Sequence, residues 1–234
     1  SDSDAKDIWD AFLKWKVVFF RDQPMSHADQ VAFGRRFGEL TIGHAVFGHV
    51  DGYPEIYSIA KDRWDNRYKP APKNIRPWTG FHADITAAVN PPAVSILRGV
   101  TIPPYGGDTL WANLVVAYDS LSEPIRNFVD GLRGLHKFQP PGEIDVTEEY
   151  KAMQERRRLT TEHPMVRVHP ETGERVLYIS PSFLKSIVGM EPRESELILE
   201  MLWEHSVRPE FTLRYKWEPN DLAMWDNRAV VHCA

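Results

Sequence analysis

Short runs of β-branched and aromatic residues recur along this sequence and end at turn-forming residues. The clearest runs are residues 16–21, 93–100 and 211–217. Their length and composition are typical of β-strands, and the prolines and glycines between them are typical of turns. Eighteen prolines and eight tryptophans fit many turns around an aromatic core better than they fit a helix bundle. The pattern predicts a mainly β fold, with a double-stranded β-helix (jelly-roll) core and flanking helices.

Further elements follow from the same signals. The polar turn at residues 170–173 separates two strand-like runs and predicts a hairpin. Ser26, followed three positions later by Asp29, predicts the start of a helix. We also expect helices at residues 4–13 and 191–205, after Asn113 and after Ser122, and a strand at residues 53–60. Residues 61–77 are polar and lack a hydrophobic period, which predicts a lid loop.

Length, charge and cysteine usage exclude several classes of protein. At 234 residues the chain fits one domain over residues 1–234, and we expect both termini to be incomplete. With a net charge of −5 the sequence lacks the excess of basic residues that is typical of nucleic-acid-binding proteins. The apolar runs are too short for a membrane span, and no signal peptide is apparent. A single cysteine, Cys233, fits a reducing cytoplasm.

The sharpest local motif is Phe81-His82-Ala83-Asp84. Residues i and i+2 of an extended segment point to the same side, so His82 and Asp84 can bind one ion together. His232, on the last predicted strand, is the candidate third ligand. Two histidines and one carboxylate form the facial triad of non-haem iron(II) oxygenases. The motif alone is weak evidence for a metal site, and a surface loop in which the histidine and the aspartate share a hydrogen bond is the more common explanation.

The residues around this motif resemble the taurine dioxygenase / 2,4-dichlorophenoxyacetate dioxygenase family. The resemblance covers nearly the whole chain, and its most specific blocks are residues 106–111 and 225–232. The matching segments are residues 17–21, 81–84, 91–92, 106–111, 162–173 and 219–232.

The resemblance implies an iron(II) centre with 2-oxoglutarate and O₂ as co-substrates. His82, Asp84 and His232 match the family's iron ligands, and Thr109 matches the hydroxyl residue that binds the 2-oxoglutarate carboxylate. We expect no catalytic residues beyond the metal ligands. The family also has an arginine ten or more residues after the second histidine, a position that would lie beyond Ala234.

Four positions match the family's substrate pocket. His44 matches a histidine that contacts the substrate sulfonate, and Ile85 matches a residue whose backbone faces the substrate. Phe47 and Trp78 stand where the taurine enzyme has polar residues, which favours a larger or more apolar substrate than taurine.

The resemblance implies a soluble enzyme that hydroxylates a small organic molecule and releases succinate and CO₂. An alkyl sulfate, a sulfonate or an aryloxy acid are the substrate classes we expect. No nucleic-acid or membrane partner is expected, and a homo-oligomer is left open. The alternative is a non-catalytic jelly-roll metal-binding module. Desaturation and cyclisation also remain open, whereas Asp84 disfavours halogenation because halogenases in related folds lack this carboxylate.

Other histidines have a simpler interpretation. His136, His163 and His169 lie on or beside predicted strands, where hydrogen-bonded structural histidines are common. Asp226 and Arg228 are expected to pair and to hold the turn before the final strand.

Overall fold

The computed structural model describes residues 1–42, 49–59, 75–138 and 159–234. The chain divides into two compact units, of which the first comprises residues 1–5, 24–75 and 139–158. The second comprises residues 6–23, 76–138 and 159–234. The predicted single domain over residues 1–234 stays a prediction, and each unit is described by itself.

The first unit contains helix α2, His27–Gly34, whose start was predicted from its cap. Ser26 and Asp29 form a capping box, because the Ser26 hydroxyl accepts from the Asp29 amide and the Asp29 carboxylate accepts from the Ser26 amide at 2.8 Å. Two ion pairs connect residues distant in sequence within this unit, Arg35 with Glu55 at 2.8 Å and Arg36 with Asp2 at 2.5 Å.

The predicted strand at residues 53–60 is wrong for residues 53–59, the part that the structure describes. Tyr53 donates its amide to Val50, and the amide of Ile56 donates to Tyr53. Gly52 has a φ of +79°, which a glycine adopts at little cost. Residues 50–56 therefore fold into consecutive tight turns whose local hydrogen bonds satisfy backbone groups in place of a neighbouring strand, and residues 57–59 are irregular.

The second unit is mostly antiparallel sheet. Its strands are β1 Val17–Phe20, β2 Val94–Arg98, β3 Thr109–Asn113, β4 Arg133–Lys137, β5 Thr160–Pro164, β6 Val166–Val168, β7 Arg175–Leu177, β8 Leu184–Ile187, β9 Thr212–Tyr215, β10 Leu222–Asp226 and β11 Val230–Cys233. They form the sheets β1-β10-β2, β11-β3-β9 and β5-β4-β8 and the hairpin β6-β7. The mainly β architecture with helices and the predicted hairpin are confirmed.

The remaining helices begin and end close to the predicted positions. They are α1 Asp2–Trp15, which starts in the first unit, α3 Leu114–Asp119, α4 Glu123–Val129 and α5 Pro192–Ser206, with a 3-10 turn at Pro209–Phe211. Asn113 caps α3, since its side chain accepts from the amides of Val115 and Val116. None of the helices in the described ranges has the length and apolar character that a bilayer crossing requires.

An aromatic cluster lies between strands β3, β9 and β10. Trp111 packs edge-on against Trp225, with ring centroids 5.6 Å apart, and tilted against Trp217 at 6.5 Å. Both β10 and the alternate positions of β3 are buried, so the two strands contribute apolar side chains to the core. Three of the eight tryptophans therefore pack together in this part of the core.

A buried polar cluster holds the turn between β10 and β11. Asp226 accepts hydrogen bonds from His169 at 2.9 Å and from the Arg228 guanidinium at 2.7 and 2.8 Å. Burial alone would raise the pKa of Asp226, but the bonds from Arg228 and His169 outweigh that effect and lower the pKa below its usual value. The predicted pairing of Asp226 with Arg228 is confirmed, and His169 is a hydrogen-bonded structural histidine.

We expect Asp226→Asn to destabilise the protein by about 3 kcal/mol, because it removes the buried partner of the largely buried Arg228 guanidinium and leaves Glu171 as its remaining carboxylate contact. Urea unfolding of both proteins measures the difference, with the exposed Asp119→Asn as control. Since the pKa of Asp226 is lowered in the folded protein, its contribution to the free energy of unfolding is complete above the ordinary pKa of 3.8. That contribution is lost as the pH falls through the pKa of the folded state. Equal stability of wild type and Asp226→Asn near neutral pH would contradict this role.

Candidate metal centre

Two backbone hydrogen bonds join the predicted ligand segments. The His82 amide donates to the His232 carbonyl at 2.8 Å, and the His232 amide donates to the His82 carbonyl at 2.7 Å. The two residues thus form an isolated antiparallel bridge. Residues directly opposite in such a pair project to the same face, and the imidazole centroids lie 4.2 Å apart.

Asp84 completes the group two residues after His82. Its Oδ1 lies 3.6 Å from His82 Nε2 and 3.7 Å from His232 Nε2. The three candidate ligand atoms all lie within 4.8 Å of one another. The neighbouring Cys233 does not belong to this group of ligand atoms, and its sulfur lies 3.8 Å from the Thr79 carbonyl oxygen. The structure therefore brings together the three side chains that the sequence pattern singled out.

The donor set fits a divalent transition metal. His82 Nδ1 donates to the Gly80 carbonyl at 2.9 Å, so His82 Nε2 has its lone pair free to bind an ion. Burial lowers the pKa of His232 to about 4, which keeps its imidazole neutral at physiological pH. Two imidazoles and one carboxylate on a common side form a facial triad with coordination positions left over for other ligands.

Comparison with known proteins identifies the family. The sequence model of the Taurine catabolism dioxygenase TauD, TfdA family matches residues 1–234. This chain belongs to that family.

Its similar proteins include sulfur-compound dioxygenases. The chain is 35% identical over 235 residues to an alkylsulfatase of Acinetobacter baylyi, covering 97% of this chain and 70% of the relative. It is 34% identical over 234 residues to an alpha-ketoglutarate-dependent sulfate ester dioxygenase of Pseudomonas putida, covering 96% and 73%. A solved taurine dioxygenase from Burkholderia xenovorans is 58% identical with a TM-score of 0.86, covering 100% of this chain and 74% of that chain.

These similarities confirm the predicted jelly-roll fold and enzyme class. The protein is a 2-oxoglutarate-dependent dioxygenase, an oxidoreductase that takes 2-oxoglutarate and O₂ as co-substrates and uses a metal.

The backbone of the dioxygenase is strained directly after Asp84. Ile85 has a φ of +50°, a region that β-branched residues rarely adopt. The Ala88 amide donates to the Ile85 carbonyl at 2.9 Å and closes a turn that begins at Ile85. The strained residue redirects the chain immediately beyond the carboxylate.

Two buried histidines hold the residues after this turn. His163 Nε2 lies 2.9 Å from the Thr86 carbonyl and 3.0 Å from the Ala88 carbonyl, and because a carbonyl only accepts, this nitrogen is the donor. His136 Nδ1 shares a 2.9 Å hydrogen bond with the Thr86 hydroxyl. Burial lowers the pKa of both histidines, that of His136 to about 3. Both are structural histidines, as expected, and they act on the segment that follows a predicted ligand.

The residues around His82 are held from the other side by the loop between β7 and β8. The buried Ser180 hydroxyl accepts from the Ala83 amide at 3.1 Å. Ser182 donates both its hydroxyl, at 3.0 Å, and its amide, at 3.2 Å, to the Phe81 carbonyl. The role of these serines was not predictable from the sequence, because their position in the Ile179-Ser180-Pro181-Ser182 run carries no periodic signal.

Thr109, the candidate co-substrate residue, lies buried at the start of β3. Its hydroxyl oxygen accepts from the Trp217 indole nitrogen at 2.9 Å. An oxygen that already accepts this bond still has its own proton to donate. In the β3–β11 register Trp111 faces His232, and Thr109 shares the face of Trp111 since it lies two residues away.

The predicted substrate residues are only partly within the described ranges. Trp78 is half-buried, and its ring lies 6.1 Å from that of Trp203 on α5. Ile85 adjoins Asp84 in the strained turn. His44, Phe47 and residues 61–74 of the expected lid lie outside the described residues.

We expect Ser180→Ala to lower the unfolding free energy by about 1–3 kcal/mol, because it leaves the buried Ala83 amide without an acceptor. Urea denaturation measures the loss. Ser182→Ala is the matched control, since the Phe81 carbonyl keeps the Ser182 amide as a donor and the Ser182 side chain is exposed. A larger loss in Ser182→Ala than in Ser180→Ala would contradict this ranking.

Proposed function

We propose that the dioxygenase binds iron(II) through His82 Nε2, Asp84 Oδ1 and His232 Nε2. The observation that supports the proposal is the convergence of these three atoms, fixed by the reciprocal backbone bonds between the two histidines. Bound iron(II) supplies the redox chemistry that couples decarboxylation of 2-oxoglutarate to oxidation of a substrate C–H bond. Three protein ligands on one face leave room for the 2-oxoglutarate chelate and for O₂.

Thr109 is proposed to donate its hydroxyl to the 2-oxoglutarate carboxylate. The Trp217 indole occupies the hydroxyl oxygen as an acceptor and so directs the Thr109 proton elsewhere. The side chain is buried, and a hydrogen bond to a charged carboxylate is stronger where water is excluded. Thr109 therefore offers a donor whose orientation is already restricted before the co-substrate binds.

Buried aromatic residues are proposed to shield the metal from water. The Trp225 ring lies 4.7 Å from that of His232, and Trp111 packs against Trp225. His232 itself is buried, which limits the access of water to its imidazole. Exclusion of water protects a strongly oxidising site from side reactions.

The substrate is proposed to be a small organic molecule with a sulfate, sulfonate or aryloxy acid group. The names of the similar proteins, a sulfate ester dioxygenase and an alkylsulfatase, support a sulfate ester first. His44, Phe47, Trp78 and Ile85 remain our candidates for contacts with it. We further propose that the protein acts in the cytoplasm with no nucleic-acid or membrane partner; a homo-oligomer is left open.

Succinate release tests the activity. With iron(II), 2-oxoglutarate and a panel of alkyl sulfates, sulfonates and aryloxy acids, we expect release of succinate that depends on one substrate class and stops when a chelator removes the metal. His82→Ala should abolish both metal binding and turnover, because two ligands hold an ion poorly. His49→Ala, an exposed histidine outside the triad, is the control.

Metal binding without succinate release on any member of the panel would favour the alternative, a non-catalytic jelly-roll metal-binding module. Full metal affinity in His82→Ala would show that the ion is bound elsewhere.

Thr109→Val tests the co-substrate contact, since it removes the hydroxyl and keeps the shape. A charge-assisted hydrogen bond contributes roughly 1.5–3 kcal/mol, so the apparent KM for 2-oxoglutarate should rise about ten-fold or more. Metal affinity, measured by titration with Mn(II), should change little. An unaltered KM in Thr109→Val would place the co-substrate carboxylate away from this residue and leave the metal assignment intact.

A further inference from the structure

We infer that Ser95 and Asn227 are positioning residues that make the Asp84 carboxylate a metal ligand through one oxygen only. The inference rests on the proposed metal site and assigns a role to two residues outside the triad. The Ser95 hydroxyl and Asp84 Oδ2 are 2.5 Å apart, while Asp84 Oδ1 faces both histidines. The two carboxylate oxygens therefore have different partners.

The contacts of Asn227 determine the direction of the hydrogen bonds. Its side-chain oxygen lies 3.0 Å from the Trp225 indole nitrogen and 3.3 Å from the Asp84 amide, and both of these groups can only donate. The Asn227 side-chain nitrogen must then be the group that lies 2.7 Å from the Ser95 hydroxyl, and it donates there.

The proton of Ser95 consequently has one direction. Because the Ser95 oxygen accepts from Asn227, the hydroxyl proton points to Asp84 Oδ2. The result is a series of two hydrogen bonds, in which the side-chain amide of Asn227 donates to the hydroxyl of Ser95 and that hydroxyl donates to the carboxylate of Asp84. Asn227 is buried, with 2% of its surface exposed, so few competing water contacts are available to its amide.

Backbone pairing restricts the movement of the residues that form these two hydrogen bonds. Ser95 lies opposite Trp225 in the β2–β10 pair, and the backbone amide of Asn227 donates to the Ala93 carbonyl at 2.9 Å. The Ser95 hydroxyl is thus carried on a paired strand, and the backbone of Asn227, in the turn directly after β10, is bonded to the residue that precedes β2. Groups held on paired strands keep their geometry better than groups on loops.

The chemical consequence concerns the coordination positions. A carboxylate whose second oxygen is occupied by a hydroxyl donor binds a metal through its free oxygen. Without that donor, the carboxylate is free to turn both oxygens toward the metal, and the second oxygen then competes with 2-oxoglutarate for a position. Ser95 and Asn227 would in this way affect metal affinity and co-substrate binding together.

The test compares Ser95→Ala with Ser95→Thr, which keeps a hydroxyl, in the full chain. Ser206→Ala is the matched control, because its buried hydroxyl donates to the Trp203 carbonyl and, within the described residues, to no group of the proposed metal site. We expect Ser95→Ala to weaken Mn(II) binding about ten-fold and to shift the absorption of the Co(II)-loaded protein. The absorption band formed when 2-oxoglutarate chelates iron(II) under anaerobic conditions should also shift. Ser95→Thr should restore most of each property, and Ser206→Ala should match wild type.

Unchanged Mn(II) affinity and unchanged spectra in Ser95→Ala would overturn the inference. Equal losses in Ser95→Ala and Ser95→Thr would also overturn it, because packing would then explain the effect. His82→Ala separates this inference from the proposed metal site. Loss of metal in His82→Ala with none in Ser95→Ala rejects only the positioning role, whereas retention of metal in His82→Ala rejects the site itself.

Discussion

The reciprocal backbone bonds between His82 and His232 are the interaction on which the site depends. They join two residues 150 positions apart in sequence and place their rings on one face. A shift of one residue in this pairing would bring Cys233 to the position of His232 and turn the imidazole to the opposite face. The register of the last strand is therefore a condition for metal binding. The β3–β11 pairing maintains that register, with Trp111 opposite His232.

The segment that carries His82 and Asp84 is irregular, and its polar backbone groups are hydrogen bonded by surrounding side chains. Ser180 accepts from Ala83, and His163 donates to the two carbonyls that follow the strained Ile85. A buried backbone group without a partner is costly, so each of these bonds restricts the conformations that the segment can adopt. The strain at Ile85 is thus balanced by bonds on both sides of it.

The sequence predicted features that follow from local periodicity and from short motifs. The helix cap at Ser26, the hairpin around residues 170–173 and the strands near the ends of the core required only neighbouring residues. The His82-x-Asp84 pair was recognisable because an extended segment repeats every two residues. The strand expected at residues 53–60 was wrong for its described part for a related reason. A short run of strand-forming residues does not reveal whether a partner strand is present, and turns over residues 50–56 satisfied backbone groups instead.

Contacts that depend on register between distant strands were not predictable. Ser95 looked like an ordinary strand residue, and only its position opposite Trp225 shows that its hydroxyl reaches Asp84. Asn227 belonged to the tract that resembles the family, but nothing local indicated the direction of its amide. The roles of His136 and His163 toward Thr86 are of the same kind, since the residues involved lie about 50 and 77 positions apart.

Two hydroxyls in this protein share one arrangement. Each receives an N–H from a buried side chain, Ser95 from Asn227 at 2.7 Å and Thr109 from Trp217 at 2.9 Å. A hydroxyl rotates freely until its oxygen is engaged as an acceptor, and the incoming donor then restricts where its proton can point. In Ser95 the proton is used within the protein, on the carboxylate of Asp84. In Thr109 the proposed acceptor of the proton is the carboxylate of 2-oxoglutarate. The same arrangement that orients a metal ligand at Ser95 would then orient a hydrogen-bond donor toward the co-substrate at Thr109.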